Sequence, residues 1–417
     1  MPAPTTNTRT SAGPHRPGVF WRYWTASTIS RTGDAITTVA LPLVAIQLLH
    51  ATSMEISLIT AAGYAAWLLI GLPAGVIVQR LPLRGTQVAL DLIRATAVLS
   101  VPVAAALEAL SLPLLISVSL VIGLATVVFD VGNSTFLPSI VDKKELTSRN
   151  SLTSASNAAT ELGGPSVGGV LVQLAGPAAA LVVDAVSYVV SAVLLQSLPR
   201  PRTTPTTRNN TSMGVLIKDG WQFVVRHPVI RPCVAAATLI NFSCGVLNAL
   251  TPVFLVRTLD ASAGLVGLLI ASGGLGSLIG AALTPRIARR LGDAKAVVYA
   301  TVFLALCQIL VPLSGTGWAL TLFVLGNAGF SGGVVVFSIL TRTHRQSVTP
   351  TELLPRVMAT VRFVSWGAIP FGALAAGATA TLAGTRGALW LSCTLGLAIP
   401  LLLLSSAVGR GRWGNKE

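Results

Sequence analysis

Apolar stretches long enough to cross a lipid bilayer recur about twelve times along this chain, and they constrain its fold more than any other feature. A helix needs roughly 20 consecutive apolar residues to span a ~30 Å hydrocarbon core. The stretches cover residues 22–48, 54–79, 86–107, 113–136, 151–174 and 178–198, then 233–256, 264–284, 295–313, 318–340, 358–381 and 387–408. Only 10% of the residues are charged, against about a quarter in a soluble domain. That is too few to solvate a water-facing surface. The expected class is an all-α membrane protein with twelve transmembrane helices.

The net charge of +15 would suit a nucleic-acid binder, but the placement of the basic residues argues otherwise. With the N-terminus taken as cytoplasmic, 24 of the 29 Lys and Arg fall in inner loops and tails. Two, Arg257 and Arg386, fall outside, and three, Arg31, Arg94 and Arg362, fall within spans. This is the positive-inside asymmetry. It predicts a multi-pass membrane protein with both termini cytoplasmic, whose large-scale partner is the bilayer rather than a nucleic acid. Cys233, Cys244, Cys307 and Cys393 lie in apolar runs without metal-ligand spacing, so they read as packing residues and no metal site is expected.

The expected organisation is a disordered segment over 1–19, a six-helix bundle over 20–198, a cytoplasmic linker over 199–232, a second bundle over 233–408 and a tail over 409–417. The linker opens Pro/Thr/Arg-rich and turns amphipathic from Met213, with Trp221, Val224 and Val225 among Lys218, Asp219 and Arg226. That pattern suits a helix on the inner leaflet or one packed on the inner loops. The halves also repeat. Arg80 and Arg84 recur as Arg286 and Arg290, Glu145-Leu146 with Arg149 as Glu352-Leu353 with Arg356, and Leu174-Ala175-Gly176 as Leu382-Ala383-Gly384. Three matches at nearly one offset, each in the same loop of its half, point to duplication of a six-span unit. Two such halves resemble the major facilitator fold, which places the substrate site between the bundles.

Local motifs extend that resemblance. The turn after the second span, from Gly75 through Gln79 and Arg80 to Arg84, is similar to the major facilitator loop signature, with Gln79 at its usual acidic position. The resemblance implies an inner gate that Asp130, at the inner end of the fourth span, would complete. In the fifth span, Gly164, Pro165, Gly168 and Gly169 resemble the core of the exporter signature, a set suited to bending and close helix contact. Gly33-Asp34 with Ala40-Leu41-Pro42, Asp91 with Arg94, and Phe136 to Val141 leading into Glu145 resemble the macrolide-efflux and enterobactin-exporter branch. That likeness implies proton-driven export of bulky amphipathic small molecules. The basic residue common in the fourth span of proton-coupled drug exporters is missing.

Charges inside spans need a reason, because each costs at least a few kcal/mol. Glu161 lies ten residues past Ser151, about 15 Å along a helix and so near mid-depth. Asp34 is at similar depth with Arg31 one turn away, close enough to pair. Two readings stand for each carboxylate: a proton or substrate site on the cavity, or a structural contact, an Arg31–Asp34 pair in one case and an interhelical hydrogen bond in the other. Glu161, with no cation within a turn, is the first candidate for coupling. Asp91, Arg94 and Arg362 are expected to snorkel or pair near the inner surface. Asp184 sits nearer the outer face without a clear role. All four histidines are expected in tails or loops. Trp67, Trp366 and Trp390 are candidates for an aromatic cavity lining or for core packing.

These observations favour a monomeric secondary-active exporter with no cofactor beyond a proton gradient, and not an enzyme. No Lys follows a Gly, which excludes a phosphate-binding G-x-x-x-x-G-K-[ST] loop. A non-transporting receptor or assembly factor on the same fold, or an importer, remains the alternative. If the charge asymmetry sets the topology, a C-terminal reporter active only in the periplasm will stay dark. A bright signal there would reverse the orientation.

Overall fold

Thirteen helices account for nearly all the described residues of a computed structural model, which are 17–74, 78, 81–141, 145–199, 213–350, 353–411 and 413. The first half contains α1 (Pro17–Gln47), α2 (Ser53–Ile70), α3 (Leu83–Ala106), α4 (Leu112–Ile140), α5 (Leu146–Ala175) and α6 (Pro177–Gln196). A shorter helix, α7 (Met213–Arg226), leads into α8 (Ile230–Val253), which one wider turn over Phe254–Thr258 prolongs. Then follow α9 (Ala263–Leu291), α10 (Asp293–Leu313), α11 (Leu320–Val348), α12 (Leu354–Trp366) and α13 (Ala368–Leu404).

Local chemistry sets the helix ends. Thr52 caps α2 through a capping box: its hydroxyl accepts the Glu55 N–H at 3.3 Å, and the Glu55 carboxylate accepts the Thr52 N–H at 2.7 Å. Proline opens α4, α6 and α12, where its missing N–H costs nothing. Two glycines carry the internal repeat into structure. Gly176, between α5 and α6, has φ 84°, and Gly384 has φ 71°. At Gly384 the 37-residue run of α13 breaks into two spans. Both positions lie where a side chain is strained, so the matched Leu-Ala-Gly triplets are the same sharp corner built twice.

Among the described residues ten helical stretches are apolar and long enough to cross a membrane, one of them running from α12 into the first part of α13. The last stretch of α13, Ser392–Leu404, is apolar but shorter. Helix α5 is long enough yet too polar, and its register explains why. Asn150, Ser154, Asn157 and Glu161 recur at three- and four-residue spacing and so share one face, where Asn150, Ser154 and Glu161 are exposed. Val167, Val170 and Leu174, also exposed, lie on the opposite face and look outward to lipid. The polar face therefore borders an aqueous space inside the protein. Counting α5 and both parts of α13, the chain crosses twelve times, and its two described ends share one face, called here the terminal face.

Within the first bundle α1 packs on α5 and α6, α3 on α4 and α6, and α2 on α4. In the second, α8 packs on α13, α9 and α10 on α11, and α10 on α13. The bundles meet where α5 lies along α9 and α2 along α13. Helix α7 is fastened to the second bundle rather than spread on a leaflet: Asp219 pairs with Arg356 at 2.9 Å, and Val224 joins a buried cluster with Ile230, Val234, Val357 and Val361. His344, expected in a loop, occupies the last turns of α11 and is buried beneath Trp413; α11 simply runs further than its apolar stretch.

Gly176→Ala and Gly384→Ala should each cost about 1–3 kcal/mol and lower the melting temperature in detergent. Unchanged melting of both would mean the corners tolerate a side chain.

Candidate functional site

A cavity of about 460 Å³ lies between the bundles. Asp34, Thr37 and Leu41 line it from α1, Tyr64 and Trp67 from α2, and Thr126 from α4. Across from them stand Asn248 from α8 and Asn327, Phe330 and Ser331 from α11. Asn248 Nδ2 donates to Tyr64 Oη at 3.2 Å across the gap. Among the described lining residues Asp34 is the one acid, and no Lys or Arg joins it. Aromatic and aliphatic walls with a few convergent polar groups are the usual make-up of a small-molecule site.

Behind Asp34 the first bundle holds a buried polar ladder. Helices α1 and α6 run antiparallel, and their polar residues meet turn by turn: Ser30 near Ser191, Asp34 at Tyr188, Thr37 at Asp184. Tyr188 Oη donates to Asp34 Oδ1 at 2.5 Å. The Thr37 hydroxyl donates to Asp184 Oδ2, and Ser187 Oγ donates to Asp184 Oδ1 at 3.1 Å. From α3, Asp91 accepts from Ser191 at 2.6 Å and from Ser30 at 3.5 Å. Arg94, one turn on, places Nη1 3.6 Å from Asp91 and 3.9 Å from Asp34. Its guanidinium lies 4.3 Å from the Phe129 ring centroid and 5.5 Å from that of Tyr188.

Several expectations change here. Asp91 and Arg94 do not snorkel: their side chains are 0% and 1% exposed. Arg31 does not pair with Asp34. It reaches α4 and pairs with Asp130 at 3.2 Å, because Asp34 is turned toward Tyr188 and Arg94. The closer sequence neighbour loses to partners on other helices. Of the expected gate residues, Gly75, Gln79 and Arg80 lie outside the described residues. Arg84 donates to the Leu198 carbonyl at 2.6 Å, tying α3 to the end of α6, and Asp130 has Arg31 as its ion-pair partner. Arg362 stacks on Trp67 at 4.3 Å and on Trp366 at 4.6 Å. Those two rings meet across the bundles at 4.7 Å. Trp390 stands apart from the cavity, beside Leu382 and Thr379.

The Gly-Pro set in α5 divides between two partners. A methyl added at Gly164 would strike Ala35, and one at Gly168 would come 3.0 Å from Ile36 Cα, so both seat α5 on α1. Gly169 faces the other bundle, where an added methyl would lie 2.8 Å from Gly267 Cα. The Pro165 carbonyl faces Gly267 as well. Nearby, Gln173 Oε1 accepts the Gly264 N–H at 2.8 Å, and Arg257 donates to the Ala51 carbonyl at 2.5 Å. Among the described residues these cross-bundle contacts gather on the face away from the termini, while Trp67 with Trp366 and Arg362 joins the bundles nearer the terminal face. Glu161 is exposed on the polar stripe of α5. Its register lies between the positions that face α1 and those that face α9, so it borders the aqueous side and stands apart from Asp34.

Asp184 and its ladder carried a signal in the sequence: Asp184, Ser187, Tyr188 and Ser191 share one face of an otherwise apolar helix.

A family model described as transmembrane secretion effector matches residues 9–413. The chain is 28% identical over 373 residues to an uncharacterized MFS-type transporter of Sinorhizobium fredii, y4rN, covering 88% of this chain and 89% of the relative. It is 27% identical over 355 residues to the uncharacterized MFS-type transporter YfiS of Bacillus subtilis, covering 81% of each. The fold is similar to that of the nucleoside transporter NupG (TM-score 0.77, 11% identity, 93% of this chain and 98% of that one). It is also similar to a bacterial homolog of the lysosomal transporter Spinster in an inward-facing, occupied conformation (TM-score 0.76, 12% identity, 96% and 98%). At such identities the solved structures speak to the fold alone. The family match over almost the whole chain carries the assignment: this protein is a membrane transporter of the transmembrane secretion effector family of major facilitators.

Proposed function

We propose that the chain exports bulky amphipathic small molecules, of the drug, antibiotic or siderophore class, by proton-coupled alternating access across a bacterial inner membrane. The observation that carries this reading is the central cavity: about 460 Å³, aromatic-lined, with Asp34 as its one acid. That volume falls within the roughly 300–1,000 Å³ range of drug-sized sites. A lone carboxylate among aromatic rings suits a molecule with a cationic end and an apolar body, since rings attract cations as well as apolar groups.

Direction is inferred from the cross-bundle contacts and charge together. On the face away from the termini the bundles are joined by the Gly169–Gly267 backbone approach and the Arg257 and Gln173 hydrogen bonds. On the terminal side the polar stripe of α5 offers water a route. If the basic loops hold that face in the cytoplasm, the resting form loads from the cytoplasm or the inner leaflet, as an exporter must. The family's description as secretion effectors favours the same direction. Rocking of the bundles about the midplane site would then part α5 from α9 and bring the terminal-face loops together, with Arg84 on the closing side.

Asp34 is assigned to the cationic end of the substrate, with Arg31–Asp130 steadying α1 against α4. Glu161 is assigned to proton uptake from the aqueous side. Asp34→Asn should weaken binding of ethidium, used as a lipophilic cation, about tenfold, or ~1.4 kcal/mol, with little effect on a neutral compound of similar size. Equal losses for both would remove the carboxylate from substrate recognition. Glu161→Gln should keep ethidium binding and lose pH-driven accumulation in vesicles; wild-type accumulation would exclude it from coupling.

A further inference from the structure

We propose that Asp184 is a buried proton-binding site that exchanges with the central cavity through the Thr37 hydroxyl. The proposal rests on the proton-coupled reading above for its purpose, but on separate observations for its place.

The first observation is a charge count. Asp34 and Asp91 flank one guanidinium, Arg94, while Asp184 joins the same ladder through the Thr37 and Ser187 hydroxyls and Asp130 is occupied by Arg31. With every group ionised, the ladder would hold three negative charges against one positive charge inside the membrane. Uncompensated charge at that depth is costly. The three carboxylates are not equally served. Asp34 has the Tyr188 hydroxyl, Arg94 at 3.9 Å and the open cavity. Asp91 has Arg94 at 3.6 Å and two serine hydroxyls. Asp184 is 0% exposed, its hydrogen-bond partners are the Thr37 and Ser187 hydroxyls, and no cation among the described residues pairs with it. A carboxyl buried in that way is suited to hold a proton.

The second observation is a built seat. Gly33 has no Cβ where the Asp184 carboxyl lies: an added methyl would overlap both Asp184 Oδ1 and Ser187 Oγ. The carboxyl is thus pressed against the backbone of α1, shielded from lipid and water.

The third is the connection. Thr37 touches Asp184 with its hydroxyl and also lines the cavity. A hydroxyl can donate and accept at once. When Asp184 is protonated the hydrogen bond to Thr37 reverses, with Oδ2–H donating to Thr37 Oγ1 and the hydroxyl hydrogen turned to cavity water; the Oδ2 proton then passes to Thr37 Oγ1 while the hydroxyl's own proton passes to that water. One proton moves, Asp184 is left as a carboxylate, and Thr37 ends unchanged. The charged groups facing this site are Asp34 from α1 and Asp91 and Arg94 from α3, with Tyr188 one turn along α6 itself. Where α5 packs on α1 it presents Gly164 and Gly168, and its Glu161 turns to the aqueous side. Arg94 Nε and Nη1 are buried without a hydrogen-bond partner, and Nη1 stays within ion-pair reach of Asp91 and Asp34.

Infrared spectroscopy of the full chain in lipid nanodiscs tests this without a substrate. The wild type should show a carboxylic-acid C=O band at neutral pH that disappears on strong alkalinisation. Asp184→Asn should remove that band, and Asp34→Asn should leave it. Persistence of the wild-type band in Asp184→Asn, or no such band in the wild type, overturns the site. Should Asp184→Asn fail to fold, Thr37→Val gives an independent answer: losing the hydroxyl should shift the band and slow its hydrogen–deuterium exchange. An unshifted band with unaltered exchange overturns the connection. If wild-type vesicles show no pH-driven transport at all, the proton-coupled reading falls, while the infrared band still decides whether Asp184 holds a proton.

Discussion

Arg94 is the interaction around which the first bundle is organised. A guanidinium can be buried in a membrane only where carboxylates and π faces replace its water, and those groups must come from several helices at once. Here α3 supplies Asp91, α1 supplies Asp34, α4 supplies Phe129 and the Ala125 carbonyl, and α6 supplies Tyr188. Removing one partner of a buried pair costs about 3–5 kcal/mol because the other is left stranded. The ladder therefore fixes the mutual register of four helices, and it sets Asp34 at the cavity wall with a defined orientation. Apolar contacts alone could not do this. Lipid is as apolar as the helix faces, so burying them from it drives little.

The two halves share a backbone plan but divide the chemistry. Gly176 and Gly384 turn the same corner in each, with φ 84° and 71°. The charged ladder, by contrast, belongs to the first half. Opposite it the second half offers Asn248, Asn327, Ser331 and Phe330 to the cavity, and its buried polar contacts are neutral ones such as Gln308 to Ser392 at 3.1 Å. Duplication preserved what the backbone needs, since a corner in that conformation tolerates little but glycine. Side chains facing the cavity were free to diverge. One bundle became the charged wall and the other an adaptable one.

How much of this could be read from the residues follows the same division. The span pattern was legible because hydropathy is a property of consecutive residues, and the repeat because it sits in backbone-critical glycines and loop charges. The Gly-Pro set of α5 was legible as close packing, although the split between Gly164 on α1 and Gly169 on α9 needs three dimensions. The ion pairs were not legible. Arg31 and Asp34 are one turn apart and look like partners, yet each is satisfied on a different helix. Asp91 and Arg94 fall close to a span's end by counting and lie fully buried by packing. Sequence distance measures reach along one helix; in a bundle the competing partners stand sideways. For α6 the clue was present in the spacing of Asp184, Ser187, Tyr188 and Ser191, but it acquires meaning only beside the matching face of α1.

That the face away from the termini is held by glycine bears on how it can open. Where Gly169 meets Gly267, backbone approaches backbone, and among the described residues the polar supplements nearby are a hydrogen bond accepted by Gln173 from Gly264 N–H and one donated by Arg257 to the Ala51 carbonyl. Such an interface gains from van der Waals fit, which falls off steeply with separation. The buried ladder is the opposite: it is costly to disrupt and lies within one bundle. A rocking motion that separates α5 from α9 therefore leaves the ladder intact. Asp34, Thr37 and Asp184 would travel together as one body, their internal contacts unchanged, while the water at the cavity mouth is exchanged from one side of the membrane to the other. What alternates is access to Asp34 and Thr37, and through Thr37 to Asp184, rather than the arrangement of the groups themselves.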